Sequence, residues 1–205
     1  MSRYDISGSQ GALQPGSEQG VLANKLGITR PEDMNEAELV LLQKLYVEVL
    51  REHLPPGRIS ALHLRRWHRR WLGNVYDWAG QYRTVNMSKD GFPFAPAAQL
   101  PRLMQIFDTE YLARYTPCMD MDHETLVDAI AILHVEFILM HPFREGNGRL
   151  SRLLADVMAV QAGRDPLDYT SWEKNRSAYV AAIQTGMARD YAPMKFWVDK
   201  ALEPV

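Results

Sequence analysis

Twelve residues constrain this chain more than any other stretch: His141-Pro142-Phe143-Arg144-Glu145-Gly146-Asn147-Gly148-Arg149-Leu150-Ser151-Arg152. Just upstream, Leu126, Ile130, Leu133, Phe137 and Met140 recur at helical spacing, which predicts a buried helix leading into the segment. Pro142 disfavours helical geometry at His141, so that helix is expected to stop there. Beyond the glycines, Leu150, Leu153, Leu154, Val157 and Val160 begin a second helical stripe. The segment therefore reads as a helix, a tight glycine turn and the N-terminus of another helix.

The residue types in that turn suit phosphate handling. Gly146 and Gly148 can take positive φ and let a ligand approach the backbone. Free N–H groups at a helix start favour an anion, helped by the helix dipole, and successive turn amides can form a concave nest. Arg149 and Arg152 lie three apart, share a helix face, and can fork onto phosphate oxygens. The side chain of Asn147 can favour a turn or donate to a phosphate oxygen. Glu145 would be repelled by a bare phosphate; a bridging Mg²⁺ removes the conflict. His141 is expected to titrate near neutral pH and to accept a proton from an attacking hydroxyl. Phe143 is expected to pack into the core, with no chemical role.

The remainder predicts one mainly helical domain. The chain has 205 residues, 46% hydrophobic and 23% charged, which is enough for a real core. A net charge of −2 gives no global attraction to nucleic acid or anionic membrane. Met1 to Gly20 is polar, so no secretory signal is expected, and residues 1–20 read as a weakly ordered leader before a domain at 21–205. Asn35 is expected to cap a helix over about 36–53 whose apolar face is Leu39, Leu42, Leu45, Tyr46 and Val49. Further helices are expected near 59–73, 97–115, 122–140, 148–162, 171–188 and 191–202. Residues 80–96 are the one good strand candidate, a hairpin with Thr84, Val85, Phe92 and Phe94 flanking a turn at Lys89-Asp90-Gly91. The fold class expected is a mainly α bundle with one β-hairpin.

Three features have bland readings that win. His134 lies one heptad before His141 but matches no tight zinc spacing, so it reads as packing. Arg65-Arg66-Trp67-His68-Arg69-Arg70 invites a nucleic-acid reading. On a helix its charges spread into a solvated surface while Leu62, Trp67 and Trp71 face inward, so direct nucleic-acid binding is not expected. Cys118, the one cysteine, reads as a small buried hydrophobe in a reducing compartment. No apolar run is long enough to span a bilayer, so no membrane partner is expected.

The string from His141 to Arg152 resembles the signature of the Fic (Fic/Doc) family and meets every constrained position of it. The resemblance extends outward. Val21-Leu22-Ala23-Asn24-Lys25-Leu26-Gly27-Ile28 resembles the entry to these domains. Trp78-Ala79-Gly80-Gln81-Tyr82-Arg83-Thr84-Val85-Asn86-Met87-Ser88-Lys89, followed by Gly91-Phe92-Pro93-Phe94-Ala95-Pro96, resembles the family's hairpin, the flap. The resemblance implies a Fic-type helical bundle that transfers AMP from ATP to a Ser, Thr or Tyr hydroxyl of a target protein. It implies His141 as base, Glu145 as Mg²⁺ ligand, the Gly146–Gly148 turn and Asn147 on phosphate, Arg149 toward the β-phosphate and Arg152 toward the γ-phosphate. It implies a target strand paired along the flap at Thr84, Val85, Asn86, Met87, Ser88, Lys89, Gly91 and Phe92. Doc relatives that act as kinases carry Lys in place of the second glycine, and Gly148 departs from them. Many Fic proteins carry an inhibitory Ser/Thr-x-x-x-Glu-Gly/Asn helix. No such string occurs here, which implies either a separate small inhibitory antitoxin, as in the toxin–antitoxin branch, or an uninhibited enzyme; the first is favoured and makes the enzyme toxin-like. The single cysteine and the polar start of the chain make a cytoplasmic location the expectation, with a secreted-effector role left open. Two other readings stay open: another Fic-type nucleotidyl or phosphoryl transfer, and a nucleotide-binding regulatory module without catalysis.

Overall fold

The computed structural model describes residues 5–7 (main chain alone), 11–17 and 20–203, so the expected leader lies partly outside the described residues. Helix α1 spans Pro31–Val47 and runs on through a wider helical turn, Glu48–Glu52. Asn35 does not cap it. The helix starts earlier because Pro31 fits the first helical position, where its fixed φ is already helical and no N–H is needed. Leu39 also departs from expectation: it is exposed, while Met34, Leu42, Leu45 and Val49 are buried. α2 (Ala61–Leu72) packs on α1 through Leu64, Trp67, Trp71 and Leu72, and Leu62 points outward rather than in.

The centre is the pair predicted by the two leucine-rich stripes. α5 (His123–Met140) begins at Asp122, whose carboxylate accepts from the Thr125 N–H at 2.8 Å. It buries Leu126, Ile130, Leu133, Phe137 and Met140. α6 (Asn147–Gln161) packs against it, and α9 (Ala192–Leu202) covers another face. Between α2 and α5, a helical stretch comprises α3 (Leu100–Ile106), a wide turn at Phe107–Leu112 and α4 (Ala113–Tyr115). The single helix expected over 171–188 is two, α7 (Thr170–Lys174) and α8 (Arg176–Thr185), because Asn175 leaves helical geometry at φ −118° and ψ 42°. Cys118 is buried as expected, and burial pushes its thiol up to about 12.

The hairpin is shorter and tighter than expected. β2 (Asn86–Lys89) pairs antiparallel with β3 (Phe92–Pro93), with Lys89 opposite Phe92. The turn is therefore the two residues Asp90 and Gly91, at φ 52° and 78°. Positive φ at both positions is what a two-residue hairpin matched to strand twist requires. Thr84 and Val85 precede the strand. The sheet has a third member that the sequence reading missed: β1 (Asp5–Ser7) pairs antiparallel along the other edge of β2. No helix among the described residues is long and apolar enough to cross a membrane.

Candidate active site

The C-terminus of α5 sets the position of His141. Its N–H still bonds to Phe137 at 3.0 Å, but its backbone sits at φ 50° and ψ 59°, in the left-handed region. A non-glycine residue adopts that region only where its surroundings hold it. Arg83 does the holding. Its guanidinium is buried and donates to the carbonyls of His141 (2.7 Å), Met140 (3.2 Å), Val85 (2.6 Å) and Ala95 (2.5 Å), and its own N–H bonds to Pro142 O at 2.8 Å. One side chain thus ties the end of α5 to the base of the flap.

The histidine ring is oriented from two sides. Phe94 stacks on it at 3.8 Å. Its Nδ1 lies 3.2 Å from the Ile138 carbonyl. A carbonyl can only accept, so Nδ1 carries the proton and Nε2 carries the lone pair. The expectation that His141 titrates near neutral pH is corrected. Burial above all, with Arg83 and Lys89 adding their positive charge, pulls it down to about 3. The ring is neutral at physiological pH, in the form a base needs.

Gly146 forms the start of α6 at φ 83°. A Cβ there would lie 2.6 Å from the ring of Trp71, so glycine is required twice over. Gly148 is different from expectation. It lies inside α6 with no positive φ, and a Cβ there would meet open space. What it offers is room beside the first turn of the helix. Asn147 is also corrected. It is fully buried, its Oδ1 accepts from the Phe143 N–H at 2.8 Å, and its Nδ2 donates to the Phe143 carbonyl at 2.7 Å. Its amide buckles the loop and is not presented to a phosphate; only its main chain lies at the helix start.

Glu145 bends back, so that its Oε1 accepts from the Gly146 N–H at 3.0 Å and lies 3.4 Å from Arg149 Nη2. Arg149 also pairs with the buried Glu38 at 2.7 Å and lies over Trp71 at 4.5 Å. Arg152 pairs with Glu173 at 3.0 Å and lies over Tyr169 at 4.7 Å. Both arginines are therefore held by carboxylates and rings. His68 fixes the loop from below. It is fully buried and stacked on Phe143 at 4.0 Å. Its Nδ1 accepts from Gly80 N–H at 2.8 Å, so its Nε2–H donates to the Glu145 carbonyl at 3.0 Å. Burial pulls it down to about 4. His134 packs as expected, between Ser151 Oγ at 2.5 Å and Tyr179 Oη at 2.7 Å.

These groups share one cavity of about 1030 Å³, lined by His141, Glu145, Gly146, Gly148, Arg149 and Arg152. Lys89, Asp90, Phe92 and Phe94 of the flap line it from one side, and Glu173, Arg176 and Tyr179 from the other. Of the expected flap residues, Thr84, Val85, Asn86, Met87, Ser88 and Gly91 lie outside this lining. Sequence reasoning missed Glu38, His68, Arg83 and Glu173. Of these, only Arg83 carried a signal, as part of the segment from Trp78 to Lys89 that resembles the flap.

The arrangement can bind a polyanion and remove a proton beside it. Among the described residues, no group of three or more His, Cys, Asp and Glu side chains gathers to hold a metal ion. Glu145 brings its carboxylate to the part of the cavity that Gly146 and Arg149 line. That donor set fits Mg²⁺, which keeps several waters and takes one or two carboxylates together with phosphate oxygens.

Residues 58–159 match the Fic/DOC family. The chain is 29% identical to the probable protein adenylyltransferase y4lH of Sinorhizobium fredii, covering 85% of this chain and 87% of that one. It is 27% identical to the probable protein adenylyltransferase Fic of Escherichia coli, covering 93% and 90%. Among solved structures, BepC of Bartonella tribocorum with bound AMPPNP, a VirB-translocated effector, shares the fold. The TM-score is 0.76 at 23% identity, over 96% of this chain and 98% of that one.

Proposed function

Because the chain belongs to the Fic/DOC family, we propose that it is a protein adenylyltransferase, moving AMP from ATP to a Ser, Thr or Tyr hydroxyl of another protein. The observation that carries this reading is the fixed tautomer of His141, whose Nδ1–H is held by Ile138 while its ring lines the cavity that holds the start of α6 and both arginines. In this reading residues 21–205 are the catalytic domain and residues 1–20 a leader.

The target hydroxyl passes its proton to Nε2 of His141 as its oxygen attacks the α-phosphorus in line. The bond to the β-phosphate bridging oxygen breaks, and pyrophosphate leaves. Burial makes the imidazole a weak base in this structure; a bound triphosphate beside it favours the protonated form and raises its proton affinity. The main-chain amides at the start of α6 are assigned to the phosphates, and Gly148 leaves room for them. Arg149 is assigned to the β-phosphate and Arg152 to the γ-phosphate. Each now has a carboxylate partner, so ATP competes with Glu38 and Glu145 for the first and with Glu173 for the second. Glu145 would hold Mg²⁺, which offsets charge on the phosphates when bound. The flap, from Thr84 to Phe92, is assigned to docking an extended segment of the target. Gly148 in place of a lysine favours AMP transfer over the Doc type of phosphoryl transfer.

Control is assigned to a small antitoxin-like protein that sets a glutamate against Arg152, as in a toxin–antitoxin pair in the cytoplasm. The support is the lack of any Ser/Thr-x-x-x-Glu-Gly/Asn string in the sequence. The test is incubation with α-labelled ATP, Mg²⁺ and cell lysate, comparing the native chain with His141→Ala. Label on protein with the native chain alone is expected. Equal label from both would overturn the mechanism, and none from either while ATP binds would favour a regulatory module.

A further inference from the structure

The outer edge of the flap is already paired. β1 runs antiparallel to β2, with Asp5 opposite Ser88, Ile6 opposite Met87 and Ser7 opposite Asn86. The direction of each polar group in β2 follows from one bond. Phe94 N–H donates to the Met87 carbonyl at 3.0 Å, so Met87 turns its main chain toward β3. In an antiparallel ladder the neighbours alternate, so Asn86 and Ser88 turn theirs the other way, toward β1. β3 offers little to an incoming strand, because it is two residues long and includes Pro93, which has no N–H. The outer edge of β2 is the better docking edge, and a piece of this chain fills it.

That piece is tethered closely. Residues after it are fixed to the body: Gln14 N–H donates to Val21 O at 2.8 Å, and Ala23 N–H to Ala12 O at 3.0 Å. Asn24 Nδ2 donates to Ile28 O at 2.8 Å, and Lys25 N–H to Val75 O at 2.8 Å. Only residues 8–11 of the sequence separate Ser7 from Ala12, where this anchored stretch starts. A strand on so short a tether meets its edge at an effective concentration of the order of millimolar. Three paired residues are nevertheless a weak ladder, open to displacement.

We propose that β1 is a tethered stand-in for the substrate strand, so that the N-terminal segment and an extended segment of the target protein compete for the outer edge of β2. The proposal rests on the reading of the flap as the docking site for a protein substrate. Main-chain pairing makes the competition tolerant of target sequence. The residues opposite β1, Asn86 to Ser88, are not among those lining the cavity, so the competition acts on the protein substrate and leaves ATP binding alone.

Three proteins test this: the full chain, a version lacking residues 1–10, and Asp5→Pro. The proline removes an N–H at a position whose main chain faces β2, and leaves the remaining sequence intact. Amide exchange at Asn86 and Ser88 is expected to be at least ~10-fold faster in both altered proteins, as loss of a tethered partner at millimolar effective concentration implies. Equal exchange in all three overturns the proposal. Dephosphorylated β-casein, an unfolded protein rich in Ser and Thr, serves as acceptor with α-labelled ATP. Its apparent KM is expected to fall ~3–10-fold in both altered proteins, with kcat and the KM for ATP unchanged. An unchanged or higher KM for casein overturns the proposal and makes β1 part of the platform instead. If none of the three labels casein, binding decides: casein must slow exchange at Asn86 and Ser88 in the shortened protein, and failure to do so overturns the proposal. Labelling itself is judged by the lysate experiment, so the two readings fail separately.

Discussion

Between Met140 and Asn147 the chain turns back inside the protein; between Lys89 and Phe92 it turns in solvent. Every residue from His141 to Asn147 is buried, whereas Asp90 and Gly91 are exposed. The inner loop is held by side chains that bond to its main chain: Arg83 to His141, His68 to Glu145, and Asn147 to Phe143. The flap is held by short main-chain pairing and by its footing on Arg83. In the proposed reading the contrast divides the work. Atoms that act on phosphate must stay in place, and buried polar bonds, costly to break, keep them there. A surface that meets another protein does better with a ladder that can be remade.

The largest expected effect lies in the inner loop. His141→Ala should lower transfer by at least ~10²-fold while leaving ATP binding intact, the low end for removal of a general base. Steady-state labelling together with an ATP titration checks both halves. Near-native labelling would show that the loop positions phosphate without acting as base.

Acid should weaken the inner region before the flap. Burial holds His68 down to about 4 and both His134 and His141 down to about 3, against an ordinary 6.5. Below pH 6.5 the unfolded chain takes up protons that the native one refuses. Stability is therefore full above pH 6.5 and falls as the pH drops toward 4, by up to about 1.4 kcal/mol per pH unit for each histidine. Urea midpoints at pH 7 and pH 5 measure this, and a midpoint that does not move would show that these histidines do not stay neutral. The sequence from 80 to 96 has no histidine, so hydrogen exchange in the flap should respond less than exchange at Phe143.

Asn147→Ala should cost about 1–3 kcal/mol, because it leaves the buried N–H and carbonyl of Phe143 without their partner. Thermal unfolding measures the loss, and a change below about 0.5 kcal/mol, the usual size at a surface site, would mean that the buckle is dispensable. Glu145→Gln keeps the bond to Gly146 and removes the charge. Its ATP affinity should lose most of its Mg²⁺ dependence; superimposable Mg²⁺ curves for the two proteins would take Glu145 out of metal binding. The smallest effect belongs to the flap. Gly91→Val places a β-branched residue at φ 78° and should cost about 1–2 kcal/mol locally, the usual penalty for a non-glycine residue in that region. It should raise the KM for casein several-fold with little change in overall Tm. A Tm drop as large as that of Asn147→Ala would erase the distinction between the two regions.

Much of this molecule could be read from the sequence. The stripes of α5 and α6, the stop before Pro142, the Asp-Gly turn and the cluster of His141, Glu145, Arg149 and Arg152 are local patterns, and local sterics and periodicity enforce them. The family resemblance rested on the same string. What sequence alone could not supply was the partner of each group. Glu38 is one acidic residue of a helix until folding buries it against Arg149 and Tyr76. His68 sits in a run of arginines that looks like a solvated face, yet packing drives it to the centre beneath Glu145. Asn147 and Gly148 look alike as phosphate contacts, but tertiary structure spends the first on Phe143 and leaves open space at the second. β1 finds its edge on β2 across some eighty residues. In each case the deciding quantity is burial, which sets the cost of an unpaired polar group and the proton affinity of a histidine, and burial exists only once distant elements pack.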